Sequence, residues 1–273
     1  MSYTRKELAN FIVKKLQLHM DKLTDSYSSM SKIQHFYIDD LLPEDLAAAI
    51  YNAFPEPKSM SLNKTLREYK YIAAQMDQYD PVLEEIIYAF QMPEVVALIS
   101  KIVGKDDLFP DDKLYAGGIS LMGEGHYLNP HLDNSHDKER ELWRAFNLLY
   151  YVSPDWKLEN GGNLELWPDG VKGNSITLES KFNRLIVMAT HNNSWHSVSP
   201  IKVDRTRCCV SNYYFATNPV DAEDSFHVTS FRGRPEQKIV DILLRGDAKV
   251  RNLIRKLFTK GIKETSHYYK KED

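Results

Sequence analysis

The sequence predicts a single domain in which a β-rich core lies between two helical segments. Apolar residues recur mainly at helical spacing in positions 1–112 and 217–273, whereas positions 113–216 contain short β-type runs separated by Gly, Pro and Asn turns. Short runs at such even spacing are typical of a sandwich or barrel. No internal repeat and no sharp change in composition marks a domain boundary, so we expect one domain with helical support on both sides of the core.

The composition excludes several classes of protein. A chain of 273 residues with 42% hydrophobic and 27% charged residues is long and apolar enough to bury a core, which argues against disorder. The formal net charge of −3 argues against a nucleic-acid partner, because nothing in the overall composition would neutralise the phosphates.

The cysteines and the apolar runs bear on the cellular compartment. Cys208 and Cys209 are neighbours, and neighbouring residues of a strand point to opposite faces. They are poor partners for a disulfide, so we expect two buried thiols in a reducing compartment. The sequence starts without a signal-type apolar segment and has no run that approaches a membrane span. We therefore expect a soluble cytoplasmic protein with no membrane partner, and the oligomeric state stays open.

The N-terminal segment is predicted to hold four helices and one strand. Thr4 and Glu7 form a capping box that starts the first helix, and the Ser-rich stretch Thr24–Ser31 is expected to break it. A short strand follows at His35–Ile38. Pro and Gly bound the other three helices, which are expected between Pro43 and Pro55, over Pro81–Phe90, and over Pro93–Val103 before Gly104.

The core is predicted from its β-type runs. They are Leu114–Leu121, Ala145–Val152, Asn163–Trp167, Ser175–Leu178, Asn183–Ala189 and Cys208–Phe215. Helical spacing then returns in a set of apolar residues formed by Ile239, Ile242, Leu243, Val250, Leu253, Ile254 and Leu257. The polar tail Thr265–Asp273 is expected to be frayed.

One tripeptide, His131-Leu-Asp133, has the form of a metal-binding pair. Residues i and i+2 of a strand share a face, so the imidazole and the carboxylate would point the same way. A non-haem Fe(II) site needs two imidazoles and one carboxylate on one side of the metal, with the remaining positions open. The pattern alone has little specificity, because the chain contains a second copy, His19-Met-Asp21, on the predicted first helix, where positions i and i+2 diverge.

The surrounding sequence makes the first copy specific. One block precedes it, at Gly117–Pro130, and four follow in order, at Asn147–Trp156, Gly161–Trp167, Trp195–Pro200 and Arg205–Phe215. In order and spacing they resemble the prolyl-4-hydroxylase-like branch of the Fe(II)- and 2-oxoglutarate-dependent oxygenases, with the greatest similarity to bacterial small-molecule hydroxylases. The resemblance is strong over 117–215 and extends weakly to 35–55. It implies that the mixed β-core with flanking helices is a double-stranded β-helix, the jelly-roll or cupin-like fold.

The resemblance also implies the residues of the site. It assigns the catalytic iron ligands to His131, Asp133 and His196. It implies Fe(II) as the metal, 2-oxoglutarate and O2 as co-substrates, and ascorbate as an optional reductant. An arginine is expected to bind the distal carboxylate of 2-oxoglutarate through its bidentate fork. Block alignment favours Arg207, and Arg205, on the same predicted strand face, is the alternative.

The other histidines match no ligand position of the family. His191 precedes His196 by five residues but lacks the Val-x-Pro that follows the family's distal ligand. Ordinary polar side chains are the simpler interpretation of His126, His136, His227 and His267.

The presence of Asp133 bears on the reaction, because related radical halogenases have Gly or Ala in its place. We therefore expect hydroxylation of an aliphatic C–H with release of succinate and CO2. The expected substrate is a free amino acid or a similar small metabolite. A prolyl or other residue within a protein or peptide is an alternative, and a non-catalytic jelly-roll binding protein is an alternative of another class, against which the complete triad argues.

The residues that select the substrate are predicted only in outline. Asn134 and Trp195 flank the iron ligands and are candidates for substrate contact. Specificity is expected to lie where the resemblance is weakest, in Thr24–Leu66, in the loop Asn134–Arg144 and in the C-terminal helices.

Overall fold

A computed structural model gives the fold of residues 3–257 and of residue 269. Most of the predicted frayed tail, including His267, lies outside these described residues. Tyr269 is the exception, and its backbone N–H donates to the carbonyl of Lys113 at 2.9 Å.

Six helices and thirteen strands are present in the described part of the chain. The helices are α1 (Arg5–Leu18), α2 (Met20–Ser28), α3 (Glu44–Asn52), α4 (Pro81–Phe90), α5 (Pro93–Val103) and α6 (Lys238–Leu257). The strands are β1 (His35–Ile38), β2 (Ser61–Lys64), β3 (Glu68–Ala73), β4 (Leu108–Pro110), β5 (Gly118–Met122), β6 (Tyr127–Leu132), β7 (Trp143–Tyr151), β8 (Leu164–Leu166), β9 (Ile176–Leu178), β10 (Arg184–Ala189), β11 (His196–Val198), β12 (Arg207–Ala216) and β13 (Ser230–Phe231).

All of these strands join one antiparallel sheet. Its order is β1-β10-β7-β12-β5-β3-β6-β11-β8-β9, with β13 beside β6, β2 beside β3 and β4 beside β12. The sheet curls into a half-barrel, so that side chains of β5, β6, β7, β8, β11 and β12 line one common cavity. This arrangement confirms the predicted double-stranded β-helix with N-terminal and C-terminal helices.

Side-chain alternation along the strands separates two apolar cores. On β10, Leu185 and Val187 pack into the larger core between the sheet and the N-terminal helices. Ile186 and Met188 point the other way, into a smaller core inside the half-barrel. The helices thus cover the outer face of the sheet and leave its inner face to form the site.

The N-terminal helices follow the prediction with one correction. The capping box is present, since Thr4 and Glu7 exchange the expected hydrogen bonds, and α4 and α5 have the predicted bounds, with Gly104 in the left-handed region at φ 68°. The helical segment ends inside the predicted stretch Thr24–Ser31, at Ser28, but it is also interrupted earlier, at His19 between α1 and α2. Tyr27 is buried in the last turn of α2, where the hydroxyl of Ser28 donates to the carbonyl of Thr24 at 2.7 Å.

Six of the described strands lie outside the predicted runs. The expectation that the metal ligands lie on strands anticipates two of them, β6 and β11, whereas the other four, β2, β3, β4 and β13, are not predicted in any form. Their sequences mix polar and apolar residues without a buried alternating face, so the pattern that marks the core strands is absent. The most consequential is β3, which pairs with both β5 and β6 and so places N-terminal residues in the wall of the half-barrel.

The C-terminal helix is present, but its apolar side chains do not all pack inward. Ile239, Ile242, Leu243, Val250 and Leu253 are exposed, whereas Leu244 is buried. Within the described residues no single helix is long and apolar enough to cross a membrane, although α4 and α5, bent by 45° at their junction, meet the length and composition criteria as a pair.

Candidate metal centre

Strand pairing brings the predicted iron ligands together. His131 lies near the end of β6, and His196 is its direct partner at the start of β11. Asp133 follows two residues after His131, and its carboxylate oxygens lie 3.6 Å from the Nε2 atoms of both imidazoles. Among the described residues, these three form the one group of His, Cys, Asp and Glu side chains whose ligand atoms all lie within 4.8 Å of one another.

Backbone carbonyls orient both imidazoles. His131 Nδ1 lies 3.0 Å from the carbonyl of Asn129, and His196 Nδ1 lies 2.9 Å from the carbonyl of Ser194. Each Nδ1 therefore carries the proton and donates, which leaves the Nε2 lone pair directed at the centre of the triad. Phe231 of β13 stacks on His131 with ring centroids 5.1 Å apart and so fixes the plane of this imidazole.

The protonation states of the ligands suit a divalent cation. Burial and the neighbouring His196 lower the pKa of His131 to about 3, so this imidazole is neutral at ordinary pH. Burial alone would raise the pKa of Asp133, but Arg144 and the two imidazoles hold it well below its usual range. Imidazoles with free lone pairs beside an ionised carboxylate are the donor set of the Fe(II) facial triad.

Two side chains of β7 hold the Asp133 carboxylate in place. Arg144 Nη1 lies 3.3 Å from Asp133 Oδ2, and Asn147 Nδ2 donates to the same oxygen at 2.8 Å. Positions i and i+3 of a regular strand face opposite ways, but the pairing of β7 with β12 skips Ala145. This bulge turns Arg144 and Asn147 to the same side, where both reach Asp133.

The triad opens into a cavity of about 170 Å³ inside the half-barrel. Alternate residues of β12 form one wall, namely Arg207, Cys209, Ser211 and Tyr213. The opposite walls are largely apolar, and are formed by Ile72, Ile119, Met122, Leu128, Leu149, Leu164 and Val198. One side of the metal position thus faces protein ligands, and the other faces this cavity.

Arg207 is suited to bind a carboxylate in this cavity. The residue is 3% exposed, and its Nε donates to the carbonyl of Gly162 at 2.9 Å. Its guanidinium lies 5.0 Å from the ring centroid of Tyr151, and its Nη1 is buried without a hydrogen-bond partner among the described residues. Because buried donors are nearly always paired, an unpaired guanidinium N–H facing a cavity fits the distal carboxylate of 2-oxoglutarate.

The alternative anchor, Arg205, lies outside the cavity. The expectation that strand parity puts both arginines on one face is wrong, because β12 begins only at Arg207. Arg205 is exposed and donates to the carbonyls of Pro154 and Asp155 at 2.6 and 3.3 Å.

The two cysteines do point to opposite faces, as predicted, and both are free and buried.

Neither candidate for substrate contact lines the cavity. The side-chain amide of Asn134 donates to the carbonyl of His136, which is the turn-forming role that Asn often takes. Trp195 lies beside Arg232, 5.9 Å from the guanidinium carbon to the ring centroid. Substrate contact by these two residues stays a prediction without support from the geometry. The remaining described histidines lie outside the cavity too, and His126, for example, stacks on Tyr69 at 3.7 Å.

Several residues of the site are missing from the sequence-based prediction. Asn147 is the first residue of one of the five sequence blocks, and this place in the family resemblance is the signal that could have identified it. Arg144, Phe231 and Lys70 carry no such signal. Arg144 reaches Asp133 only through the bulge, while Phe231 and Lys70 arrive on strands that the hydrophobic pattern does not predict.

Comparison with known proteins identifies the core. The family model described as the 2OG-Fe(II) oxygenase superfamily matches residues 117–215, which hold all three ligands and Arg207. Residues 117–215 thus form a core of the 2OG-Fe(II) oxygenase superfamily. Fe(II) and 2-oxoglutarate are therefore the cofactor and co-substrate of this enzyme, in agreement with the ligand geometry.

Solved structures agree with this oxygenase fold. A prolyl-4-hydroxylase from Pseudomonas putida is 17% identical with a TM-score of 0.52, over 71% of this chain and 97% of that one. A prolyl 4-hydroxylase from Phytophthora capsici is 18% identical with a TM-score of 0.55, over 95% and 82%. The carbocyclase SnoK from nogalamycin biosynthesis is 14% identical with a TM-score of 0.51, over 86% and 90%. At these identities the likeness shows the fold alone. No curated protein sequence matches the oxygenase.

Replacing Asn147 should weaken iron binding, because its amide restrains the Asp133 carboxylate. We expect Asn147→Ala to raise the dissociation constant for Fe(II) about 10-fold or more, the usual cost of losing a partner behind a metal ligand. Anaerobic titration calorimetry measures this constant. Asn193→Ala, an exposed substitution three residues before His196, is the matched control and should bind Fe(II) like the wild type. Equal affinity in the two variants would show that Asp133 needs no support from Asn147.

Proposed function

We propose that this oxygenase hydroxylates an aliphatic C–H of a free amino acid or a similar small metabolite, releasing succinate and CO2. The size of the cavity carries the proposal. Pockets for drug-sized ligands usually measure about 300–1,000 Å³. A cavity of about 170 Å³ that must also hold 2-oxoglutarate leaves room for only a compact reacting group beside the metal.

The residues of the chain divide the work in a simple way. The iron and 2-oxoglutarate together supply the activation of O2 and the oxidation of the substrate. His131, Asp133 and His196 hold the metal from one side, and Arg207 binds the distal carboxylate of the co-substrate. The apolar walls exclude water from the reacting groups. Because Asp133 supplies the third protein ligand, the position that a halide takes in radical halogenases is already filled. This favours hydroxylation over halogenation.

A residue within a peptide is the competing substrate. Two of the structural neighbours are prolyl 4-hydroxylases, although their likeness extends to the fold alone. A peptide would have to present its side chain through the mouth of the same small cavity. The choice between the two substrate classes is therefore open to a direct test.

Substrate screening tests the proposed reaction. Free amino acids and small metabolites are compared with proline-containing peptides for their ability to stimulate succinate release by the Fe(II)-loaded enzyme. We expect stimulation by at least one free metabolite, together with a product heavier by one oxygen atom in mass spectrometry. Stimulation by peptides alone would overturn the small-molecule proposal and favour the peptide alternative.

The two neighbouring arginines allow a sharp test of the co-substrate anchor. We expect Arg207→Met to raise the KM for 2-oxoglutarate about 10- to 100-fold, because a hydrogen bond between charged groups contributes about 1.5–3 kcal/mol. Substrate-free turnover of 2-oxoglutarate measures this KM, and Fe(II) affinity should stay unchanged. Arg205→Met removes the same charge from the surface and should leave KM unaltered. A larger effect from Arg205→Met than from Arg207→Met would reverse the assignment.

A further inference from the structure

A second cation lines the cavity and has no role in the proposed binding of iron or 2-oxoglutarate. Among the lining side chains in the part of the chain that the structure describes, two are lysine or arginine, namely Arg207 and Lys70. Arg207 lies on β12, whereas Lys70 lies on β3, the N-terminal strand that pairs with β5 and β6. The two cations therefore reach the same space from different strands.

The alternation of β3 directs Lys70 into the half-barrel. Lys70 and Ile72 share one face of the strand and both line the cavity, and Tyr69 and Tyr71 occupy the other face, where they contact His126. Ile72 pairs with Ser120, which also lines the cavity, and Glu68 pairs with Leu128. Lys70 thus lies on the inner face of the wall, two residues before Ile72 on the same strand.

Glu68 is the ion-pair partner of the Lys70 ammonium among the described residues, and the Lys70 side chain is 22% exposed. Its Nζ lies 3.0 Å from Glu68 Oε2, and the other oxygen of Glu68 accepts from the amide of Asn63 at 3.1 Å. An ammonium has three N–H donors, so the contact with Glu68 leaves capacity for another acceptor.

The charge of Lys70 suits an anionic substrate. Arg207 is assigned to the distal carboxylate of 2-oxoglutarate, and Arg144 pairs with Asp133 and does not line the cavity. Lys70 is therefore the lining cation that is needed neither to anchor the co-substrate nor to support a metal ligand, and its ammonium can pair with an anionic group of a bound substrate.

We infer that Lys70 binds a carboxylate of the substrate and so selects a free amino acid or another carboxylic acid over a residue within a peptide chain. This inference rests on the proposed small-molecule function and names the substrate class for the same site. A residue inside a peptide carries no backbone carboxylate, whereas a free acid presents one next to its aliphatic C–H bonds. Lys70 is therefore a specificity-determining residue.

Acetate is a probe that needs no knowledge of the substrate. It is titrated anaerobically into the complex of enzyme, Fe(II) and saturating 2-oxoglutarate, and the visible absorption band of the iron chelate reports binding. We expect Lys70→Met to raise the dissociation constant for acetate about tenfold or more, and Lys70→Arg to restore most of the affinity. Lys64→Met removes an exposed lysine from the same hairpin and should behave as the wild type. Equal acetate affinity in Lys70→Met and Lys64→Met would overturn the inference.

Turnover without substrate separates this role from co-substrate binding. We expect the KM for 2-oxoglutarate in Lys70→Met to stay within about twofold of the wild type, because Arg207 and iron already bind both carboxylates. A rise in this KM as large as that caused by Arg207→Met would assign Lys70 to 2-oxoglutarate and contradict the inference.

Pairs of acids and their carboxamides complete the test. A free acid that stimulates succinate release should do so far better than its amide in the wild type, and Lys70→Met should abolish that preference. If a free acid stimulates both proteins equally, the inference fails and the proposed function stands. If acetate binding depends on Lys70 but only peptides stimulate turnover, the proposed function fails and the anion site stands.

Discussion

The pairing of β6 with β11 is the constraint on which the site depends. It sets His131 opposite His196, and backbone carbonyls two residues before each histidine turn both Nε2 atoms toward one point. Because a shift of register by one residue would reverse the face of every side chain on a strand, the ladder that holds the half-barrel together also fixes the metal ligands. The same alternation on β12 places Arg207 in the cavity and Cys208 in the outer core.

The carboxylate of the triad depends on a local departure from that regularity. Asp133 stands just beyond the end of β6, where the ladder no longer controls its position. The bulge at Ala145 supplies the control instead, because it turns Arg144 and Asn147 to the same side. Burial would favour protonation of Asp133, and Arg144 and the two imidazoles offset that tendency. A regular β7 would direct one of the two supporting side chains away from the ligand.

The sequence predicts those features that local pattern encodes. His131, Asp133 and His196 are predicted because the tripeptide lies among five ordered blocks. The other core strands, apart from β6 and β11, are predicted from their apolar runs. Lys70 is not predicted, because the half-polar pattern of β3 indicates no strand and its place between β5 and β6 is set by long-range pairing. The choice between Arg205 and Arg207 needs the start of β12, which a difference of two residues in the sequence does not show. The helix ends within the predicted stretch Thr24–Ser31, and burial of Leu23 and Tyr27 extends it through the first residues of that stretch to Ser28 despite the Ser-rich composition.

Substrate-free succinate release is the most direct test that this arrangement is a working iron centre. The wild-type enzyme and His131→Ala are compared with equal Fe(II), 2-oxoglutarate and O2, after circular dichroism has established that both are folded. The wild type should bind a single Fe(II) ion per chain and release succinate in an iron-dependent manner, and His131→Ala should lose both properties. Succinate release by the wild type no faster than by His131→Ala would contradict the assignment of this triad to catalysis.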